Sequence, residues 1–143
     1  MQVCFMSSPR DMVNTYGYYC ATVHGYSMYP LLCNHRDSVY IEKADEYRKY
    51  DVALFERANG QLVLHRILKI RDGIYYFSGD NDLVVEKVRE QQLIGKMTEF
   101  SRNGKEYKTS NSIYKLYSLV WCFSPFTRRL LKKACVLFGN PYH

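Results

Sequence analysis

The feature that most constrains this fold is a series of short segments rich in Val, Ile, Tyr and Phe, separated by turn-forming residues. Asn59-Gly60 and Asp72-Gly73 stand between neighbouring segments, and such dipeptides favour tight hairpin turns that need positive φ. Segments of this composition are typical of β-strands. The predicted strands cover residues 19–24, 38–43, 51–56, 61–70, 74–78 and 92–102.

The last third of the chain changes from strand to helix periodicity. Apolar residues at helical spacing predict an amphipathic helix over residues 111–123, with one face made of Ile113, Leu116, Tyr117, Val120 and Trp121. Ser124-Pro125 supplies an N-cap and a first-turn proline, and Gly139 with Pro141 supplies a stop. A second helix is therefore expected over residues 125–138, with one face made of Leu130, Leu131, Ala134, Leu137 and Phe138. The expected class is mainly β with two C-terminal amphipathic helices.

A chain of 143 residues has room for one domain with a sizeable core. No internal repeat, low-complexity tract or Pro/Gly-rich linker divides it, so residues 1–143 are expected to form a single domain. The cysteines are odd in number and lack C-x-x-C spacing, which favours reduced, buried thiols in a cytoplasmic protein. They are Cys4, Cys20, Cys33, Cys122 and Cys135.

No run of about 18 apolar residues is present, so the sequence predicts no membrane-spanning helix. Arg10 and Asp11 interrupt the region where a signal peptide needs its apolar segment. The net charge is +6 and the pI is near 9.0. Because basic residues are spread along the chain except at Arg128-Arg129 and Lys132-Lys133, charge alone does not favour a nucleic-acid partner.

The C-terminal helices allow two interpretations. Aromatic residues next to those basic pairs are typical of a helix that lies in an anionic membrane interface; they are Trp121, Phe123, Phe126 and Phe138. The other interpretation is a helical hairpin packed on the β body with its basic face in water. A cytoplasmic protein is expected in both cases, and in the first it is peripheral at the membrane surface.

Ser27 is the first candidate for chemistry. It follows a predicted strand in the segment Gly25-Tyr26-Ser27-Met28-Tyr29-Pro30, where Gly25 permits an unusual turn and Pro30 ends regular structure. Such a turn can present a hydroxyl together with its own backbone N–H toward a bound carbonyl. The alternative is a loop serine that caps a turn.

His65 is the second candidate and lies at the centre of Leu62-Val63-Leu64-His65-Arg66-Ile67. Strand alternation places it on an apolar face with Val63 and Ile67. Burial favours the neutral imidazole, which is the form that a general base requires. A core histidine bonded to a backbone carbonyl is the alternative. Arg66 points to the other face, where a surface ion pair is expected.

An acidic turn, Ser78-Gly79-Asp80-Asn81-Asp82, follows the hairpin after the histidine strand. A carboxylate here can hold an imidazole in its productive tautomer, as the third member of a triad does. Asp80 is the first candidate for this role, with Asp82 and Glu86 after it. The same segment is also good turn chemistry, so a polar turn without a catalytic role stays open.

The order of these segments resembles that of the type I signal peptidases and the LexA-type self-cleaving repressors. The segments are Gly25-x-Ser27-Met28-x-Pro30, Asp37-Ser38-Val39, Tyr50-Asp51-Val52-Ala53-Leu54-Phe55, Val63-Leu64-His65-Arg66-Ile67, Gly79-Asp80-Asn81 and Leu93-Ile94-Gly95-Lys96. The resemblance covers residues 19–102, which form the peptidase-like β core, and residues 111–138 form a helical hairpin beyond it. It implies a coiled, mostly β fold of the LexA and signal-peptidase type.

The resemblance also implies roles for the residues. Ser27 attacks the scissile carbonyl and His65 removes the hydroxyl proton, with histidine where most bacterial signal peptidases have lysine. This is similar to the archaeal and endoplasmic-reticulum branch, in which an aspartate that matches Asp80 assists. The oxyanion hole is expected from the backbone N–H groups of Tyr26 and Ser27. Substrate contacts are expected from Gly25, Met28 and Pro30.

We therefore expect a serine endopeptidase that cleaves a leader or signal-like peptide after small residues, without a cofactor. The alternative is a non-catalytic peptide-binding or dimerisation module that keeps the repressor C-terminal fold and binds a peptide at an open strand edge. The expected partner is a peptide or protein, and no nucleic acid is expected. His24, His35 and His143 have no ligand spacing with one another or with the cysteines, so no metal site is predicted.

Overall fold

The computed structural model describes residues 7–138, and within this range eight strands form one curled antiparallel sheet. The strands pair in the order β1-β2-β7-β3-β4-β5-β6, and β8 pairs with β7. Their bounds are Tyr18–Thr22 for β1, Ser38–Glu42 for β2, Val52–Glu56 for β3, Leu62–Arg71 for β4, Ile74–Ser78 for β5, Glu86–Arg89 for β6, Leu93–Arg102 for β7 and Lys105–Lys108 for β8. The helices are α1 (Pro9–Tyr16), α2 (Ser112–Cys122) and α3 (Pro125–Phe138).

The predicted class is confirmed, because the fold is mainly β with two C-terminal helices. All the predicted strands are present, with ends that differ by at most two residues. The two predicted hairpin turns join β3 to β4 and β4 to β5. Gly60, Asp72 and Gly73 adopt φ values of 83°, 53° and 71° there, so these turns use the conformation that the Asn-Gly and Asp-Gly dipeptides favour.

Four elements were not predicted, namely α1, β6, β8 and a short 3₁₀ helix at Glu90–Gln92. α1 begins at a capping box in which Ser8 Oγ accepts a hydrogen bond from the Asp11 N–H and the Asp11 carboxylate accepts one from the Ser8 N–H. That pattern is readable in the sequence. β6 and β8 carry little pattern, since Val88 is the one buried residue of β6 and every residue of β8 is exposed.

The core divides into two clusters on the sheet. One contains Met28, Leu32, Ile41 and Met97, together with Val13 of α1. The other surrounds the histidine strand and contains Phe55, Val63, Ile67, Phe77 and Val88. β3 is buried along Val52–Phe55 because β4 and β7 flank it and both of its faces are covered. β4, the strand that carries His65, pairs with β3 and β5 and packs its buried residues into the second cluster.

The bounds of α2 and α3 match the predicted helices, but the predicted faces are wrong in part. Tyr117 and Trp121 pack inward, as expected, whereas Ile113, Leu116 and Val120 are exposed. The inward side of α2 instead includes Tyr114 and the buried Ser118. On α3, Arg128 is buried, Leu131 and Ala134 are half-buried, and Leu130 and Leu137 are exposed; the Phe138 side chain lies outside the described set. The inward sides of α2 and α3 instead carry side chains that hydrogen-bond to Arg66 of β4 and to the turn at residues 80–82.

The cysteine prediction needs one correction. Cys20, Cys33 and Cys122 are free thiols, but Cys20 is exposed because it lies on the solvent-facing side of β1, where exposed and half-buried residues alternate. Cys33 and Cys122 are partly buried, and burial raises the pKa of the Cys122 thiol. Cys4 and the Cys135 side chain lie outside the described part of the chain.

No helix within residues 7–138 is long and apolar enough to cross a bilayer.

Candidate active site

Ser27 lies in the connection between β1 and β2, which is fixed at both sides. The Val23 N–H donates to the Asp37 carbonyl oxygen over 2.8 Å, which closes the base of the connection. Gly25 has φ 91° and its N–H donates to Asn34 Oδ1 over 2.8 Å. The residues after Ser27 anchor the turn in the core; they are Met28, Leu31 and Leu32. Ser27 itself is half-buried, so a polar residue is held at a fixed place beside the core.

The acidic turn packs directly on the peptide group of Ser27. The Asn81 N–H donates to the Ser27 carbonyl oxygen over 2.8 Å. Gly79 lies so close that a Cβ there would clash with the same carbonyl oxygen. Glycine is therefore required by this close approach, and the Gly79-Asp80-Asn81 segment is positioned relative to the serine.

His65 occupies the middle of β4, opposite Ala53 of β3. Its side chain is 8% exposed and its ring lies 6.2 Å from that of Phe55, edge to face. Ser27 and His65 line the same cavity of about 420 Å³. The structure thus brings the two principal candidates together, although 38 positions separate them in the sequence.

Two carboxylates face the His65 ring. Glu86 Oε1 lies 3.5 Å from Nδ1, and Asp82 Oδ2 lies 3.8 Å from Nε2. Both distances exceed that of a good hydrogen bond, and Nδ1 is a buried nitrogen without a hydrogen-bond partner among the described residues. Few buried polar atoms in folded proteins lack a hydrogen-bond partner, and a catalytic role is one physical reason for such an atom.

Burial lowers the pKa of His65, and the negative charges of Glu86 and Asp82 partly oppose this effect. The imidazole is therefore favoured in its neutral form near pH 7, and a neutral imidazole can accept a proton from a hydroxyl. The nearby carboxylates stabilise the imidazolium that such a transfer creates. These two effects together suit a general base.

Arg57 completes this group of charges and was missed by sequence reasoning. Its Nε and Nη2 donate to the two oxygens of Glu86 over 2.8 and 2.5 Å. These bonds lower the pKa of Glu86 and fix the direction of its carboxylate toward His65. Arg57 follows β3 and lies 29 positions from Glu86, so only the pairing of β3, β4, β5 and β6 brings them together.

Asp80, the first candidate for orienting the histidine, is paired with Arg66 instead. Its two carboxylate oxygens each accept a hydrogen bond of 2.8 Å from Arg66, and one also accepts 2.9 Å from the Tyr117 hydroxyl. Within residues 7–138, no ion pair shorter than 4 Å joins Asp80 to His65. The carboxylate is fully buried with its partner, so its contacts are those of a structural ion pair.

The expectation of a surface ion pair for Arg66 is wrong, because its side chain is 0% exposed. α2 covers this face of β4 and supplies Ser118 Oγ, which accepts from Arg66 Nη1 over 2.8 Å. The Tyr50 carbonyl oxygen accepts from the same nitrogen over 3.0 Å. Burial alone would lower the pKa of Arg66, but Asp80 raises it well above its ordinary value, so the guanidinium stays charged.

The C-terminal helices also hold the acidic turn by its backbone. Three consecutive carbonyl oxygens each accept a hydrogen bond from α2 or α3. Trp121 Nε1 donates to Asp80 over 2.9 Å, Lys132 donates to Asn81, and Arg128 donates to Asp82 over 2.8 Å. Because this turn contacts Ser27 and carries Asp82, the two helices position one wall of the site.

One of the three predicted substrate contacts lines the cavity. Met28 is buried and lines the cavity, whereas Gly25 and Pro30 are not among the lining residues. Tyr26, a predicted oxyanion residue, is exposed on the same turn as Ser27. The cavity is lined mainly by apolar side chains that were not singled out, which include Tyr19, Ala21, Val23, Val39, Ile41, Leu54 and Val63.

Within residues 7–138, no group of three His, Cys, Asp or Glu side chains is placed to hold a metal ion. His24 and His35 pack edge to face with ring centroids 4.8 Å apart.

Comparison with known proteins gives one family. A family model described as Peptidase S24-like matches residues 4–98, which is about two thirds of the chain. The matched part contains Ser27, His65, Asp80 and Glu86, whereas α2 and α3 lie beyond it. A search of curated proteins found no match.

Proposed function

The chain belongs to the Peptidase S24-like family, and on that premise we propose that it is a serine endopeptidase with Ser27 as nucleophile and His65 as general base. The observation that carries this proposal is the shared cavity, in which a buried, carboxylate-flanked imidazole faces the same space as Ser27. A serine hydroxyl is a poor nucleophile by itself, so an adjacent neutral histidine supplies what the reaction needs.

The reaction proceeds in two acyl transfers. Ser27 Oγ forms a bond to the scissile carbonyl carbon while its proton passes to His65 Nε2. The backbone N–H groups of Tyr26 and Ser27 stabilise the oxyanion, and the imidazolium then returns the proton to the leaving amine as the C–N bond breaks. Water attacks the acyl-Ser27 ester with His65 again as base, and the serine is released.

We assign the orienting role to Glu86 rather than Asp80. Glu86 faces Nδ1, which leaves Nε2 for the serine proton, and Arg57 keeps the carboxylate ionised and aligned. The 3.5 Å gap closes to a hydrogen bond with a movement of about half an ångström, and catalytic hydrogen bonds often tighten only when substrate is bound. Asp82 adds negative charge near Nε2, and Asp80 supports the turn from below.

The substrate is an extended peptide. β1 lies at one end of the strand order, and among residues 7–138 no strand pairs with its outer edge, which can therefore bind a further strand. Tyr19, Ala21 and Val23 of this region line the cavity beside Ser27. A leader or signal-like peptide with small residues on the acyl side is the proposed class, in keeping with the resemblance to signal peptidases.

A degenerate peptide library read by mass spectrometry tests this proposal. The wild-type protein is expected to produce defined cleavage products, and Ser27→Ala and His65→Ala are each expected to lower their rate by about 10³-fold or more. Ser110→Ala is the matched control, since its native side chain is exposed and does not line the cavity. Cleavage that survives Ser27→Ala overturns the assignment.

The second candidate is a non-catalytic peptide-binding module, which the open edge of β1 favours. In that case, library peptides bind the wild-type protein and Ser27→Ala equally, and neither protein produces cleavage products. The same experiment therefore separates the two functions.

A further inference from the structure

The outer side of α2 and α3 exposes an unusual amount of apolar surface. Ile113, Phe123, Phe126 and Leu137 are each at least three-quarters exposed. Further exposed apolar side chains on the same two helices are Leu116, Leu119, Val120 and Leu130. Scattered apolar residues are normal on a protein surface, but a set of this size on two adjoining helices marks an interaction site.

The charged residues of α2 and α3 are all basic. No Asp or Glu follows Glu106 in the chain. The exposed basic residues are Lys115, Arg129 and Lys133. Arg128 and Lys132 instead donate hydrogen bonds to the acidic turn. On the outer side of α3 the basic residues alternate with apolar ones, in the order Phe126, Arg129, Leu130, Lys133, Leu137. We refer to the exposed residues of α2 and α3 as the outer face.

The apolar surface continues toward the active site. Leu83, Val84 and Val85 are exposed and form the loop between Asp82 and Glu86, the two acids that face His65. Leu83 and Val85 line a cavity of about 310 Å³ together with Phe123 at the end of α2. The outer face and this loop therefore meet at Phe123.

We propose that the outer face and the loop 83–85 dock on the surface of an anionic lipid bilayer. An interfacial helix combines exposed apolar side chains with lysine and arginine, and anionic headgroups attract the basic residues. A second copy of the chain with its outer face against this one is disfavoured as the occupant, because α2 and α3 carry basic residues and no Asp or Glu to pair with them. Docking presents the catalytic cavity to peptides at the membrane surface.

The binding test uses the full chain and sedimented vesicles. One set contains phosphatidylcholine alone, and the other contains phosphatidylcholine with about one-third phosphatidylglycerol. We expect the protein to sediment with the anionic vesicles, to bind neutral ones weakly, and to be released as salt increases. Ser27→Ala is expected to bind as the wild type does, so this result is independent of the proposed peptidase activity.

Two paired variants separate the apolar and charge contributions. Phe123→Asn with Leu130→Asn is expected to lower the partition coefficient by at least about tenfold, and Arg129→Ser with Lys133→Ser by about 25-fold, or fivefold per charge. All four native side chains are exposed, so the fold is retained, and circular dichroism verifies this. Arg71→Ser with Lys105→Ser removes two exposed charges at the ends of β4 and β8, away from the outer face, and is the matched control.

The possible results divide clearly. Loss of binding in both outer-face pairs but not in the control supports the proposal. Equal binding by all proteins, or equal affinity for neutral and anionic vesicles, overturns it. Absence of vesicle binding also overturns it, and light scattering then shows whether a second copy covers the outer face, with Phe123→Asn and Leu130→Asn dissociating that dimer.

Discussion

The fully buried pair of Arg66 and Asp80 gives the sharpest prediction about stability. Asp80→Asn removes the negative charge but keeps the shape, so the Arg66 guanidinium is left buried beside an amide. Breaking a buried pair in this way costs about 3–5 kcal/mol. A native domain has a free energy of unfolding of about 5–15 kcal/mol, so the loss is a large part of the total. For a chain of this size the expected fall in Tm is roughly 10 °C.

The assay is thermal and urea unfolding of the wild type, Asp80→Asn, Arg66→Met and the double variant. Because each single substitution removes the same interaction, the double variant is expected to be no less stable than the worse single variant, which gives a coupling energy of at least about 3 kcal/mol. Glu46→Gln is the matched control. It makes the same carboxylate-to-amide change in the exposed pair with Arg48, where solvent screens the charges and we expect no measurable change in Tm.

A Tm for Asp80→Asn within about 2 °C of the wild type would refute this reasoning, since that is the change expected from a solvated carboxylate. The buried ion pair would then not be formed in solution, and Asp80 would be free to act on His65 as the sequence first suggested.

Three further predictions concern the site and its support. Glu86→Gln removes a charge that raises the pKa of His65, so the acidic limb of the pH–rate profile moves to lower pH while kcat falls by about 10²-fold or more; an unchanged limb contradicts the orienting role. Trp121→Phe leaves the Asp80 carbonyl oxygen without its donor and is expected to cost about 1–3 kcal/mol in urea unfolding, whereas Leu116→Ala on the exposed side costs about 0.5 kcal/mol or less. Because burial lowers the pKa of His65, the unfolded chain binds more protons than the folded one below about pH 6.5. Stability therefore falls as the pH drops through that value, and His65→Gln is expected to flatten the dependence of Tm on pH between about 5 and 7.

The hairpins and strands were predictable because their signals are local. Asn59-Gly60 and Asp72-Gly73 require a backbone conformation that few other dipeptides adopt readily, and the turns they form set the ends of three strands. The start of α3 follows from Pro125 in the same way, since proline is favoured in the first turn of a helix. Ser27 and His65 were recognised through the order of surrounding segments rather than through any property of either residue.

The side of α2 that faces the sheet was not predictable from periodicity. Apolar residues occur around most of this helix, so spacing does not single out one face. The burial of Ser118 is explained by Arg66, which donates a hydrogen bond to its hydroxyl oxygen, and the inward Tyr117 hydroxyl donates to Asp80. The roles of Arg57 and Asp80 depend likewise on partners from distant parts of the sequence, and such partners are visible only after the sheet is assembled.

The most direct test of the central claim is covalent capture of the nucleophile. The protein is incubated with a fluorophosphonate probe over about pH 6 to 9, and the modified peptide is mapped by mass spectrometry. The account predicts one adduct on Ser27, absent in Ser27→Ala, strongly reduced in His65→Ala, and gained along a pH profile set by the neutral form of His65. Labelling that does not depend on Ser27, or no adduct with wild-type protein at any pH, would contradict it.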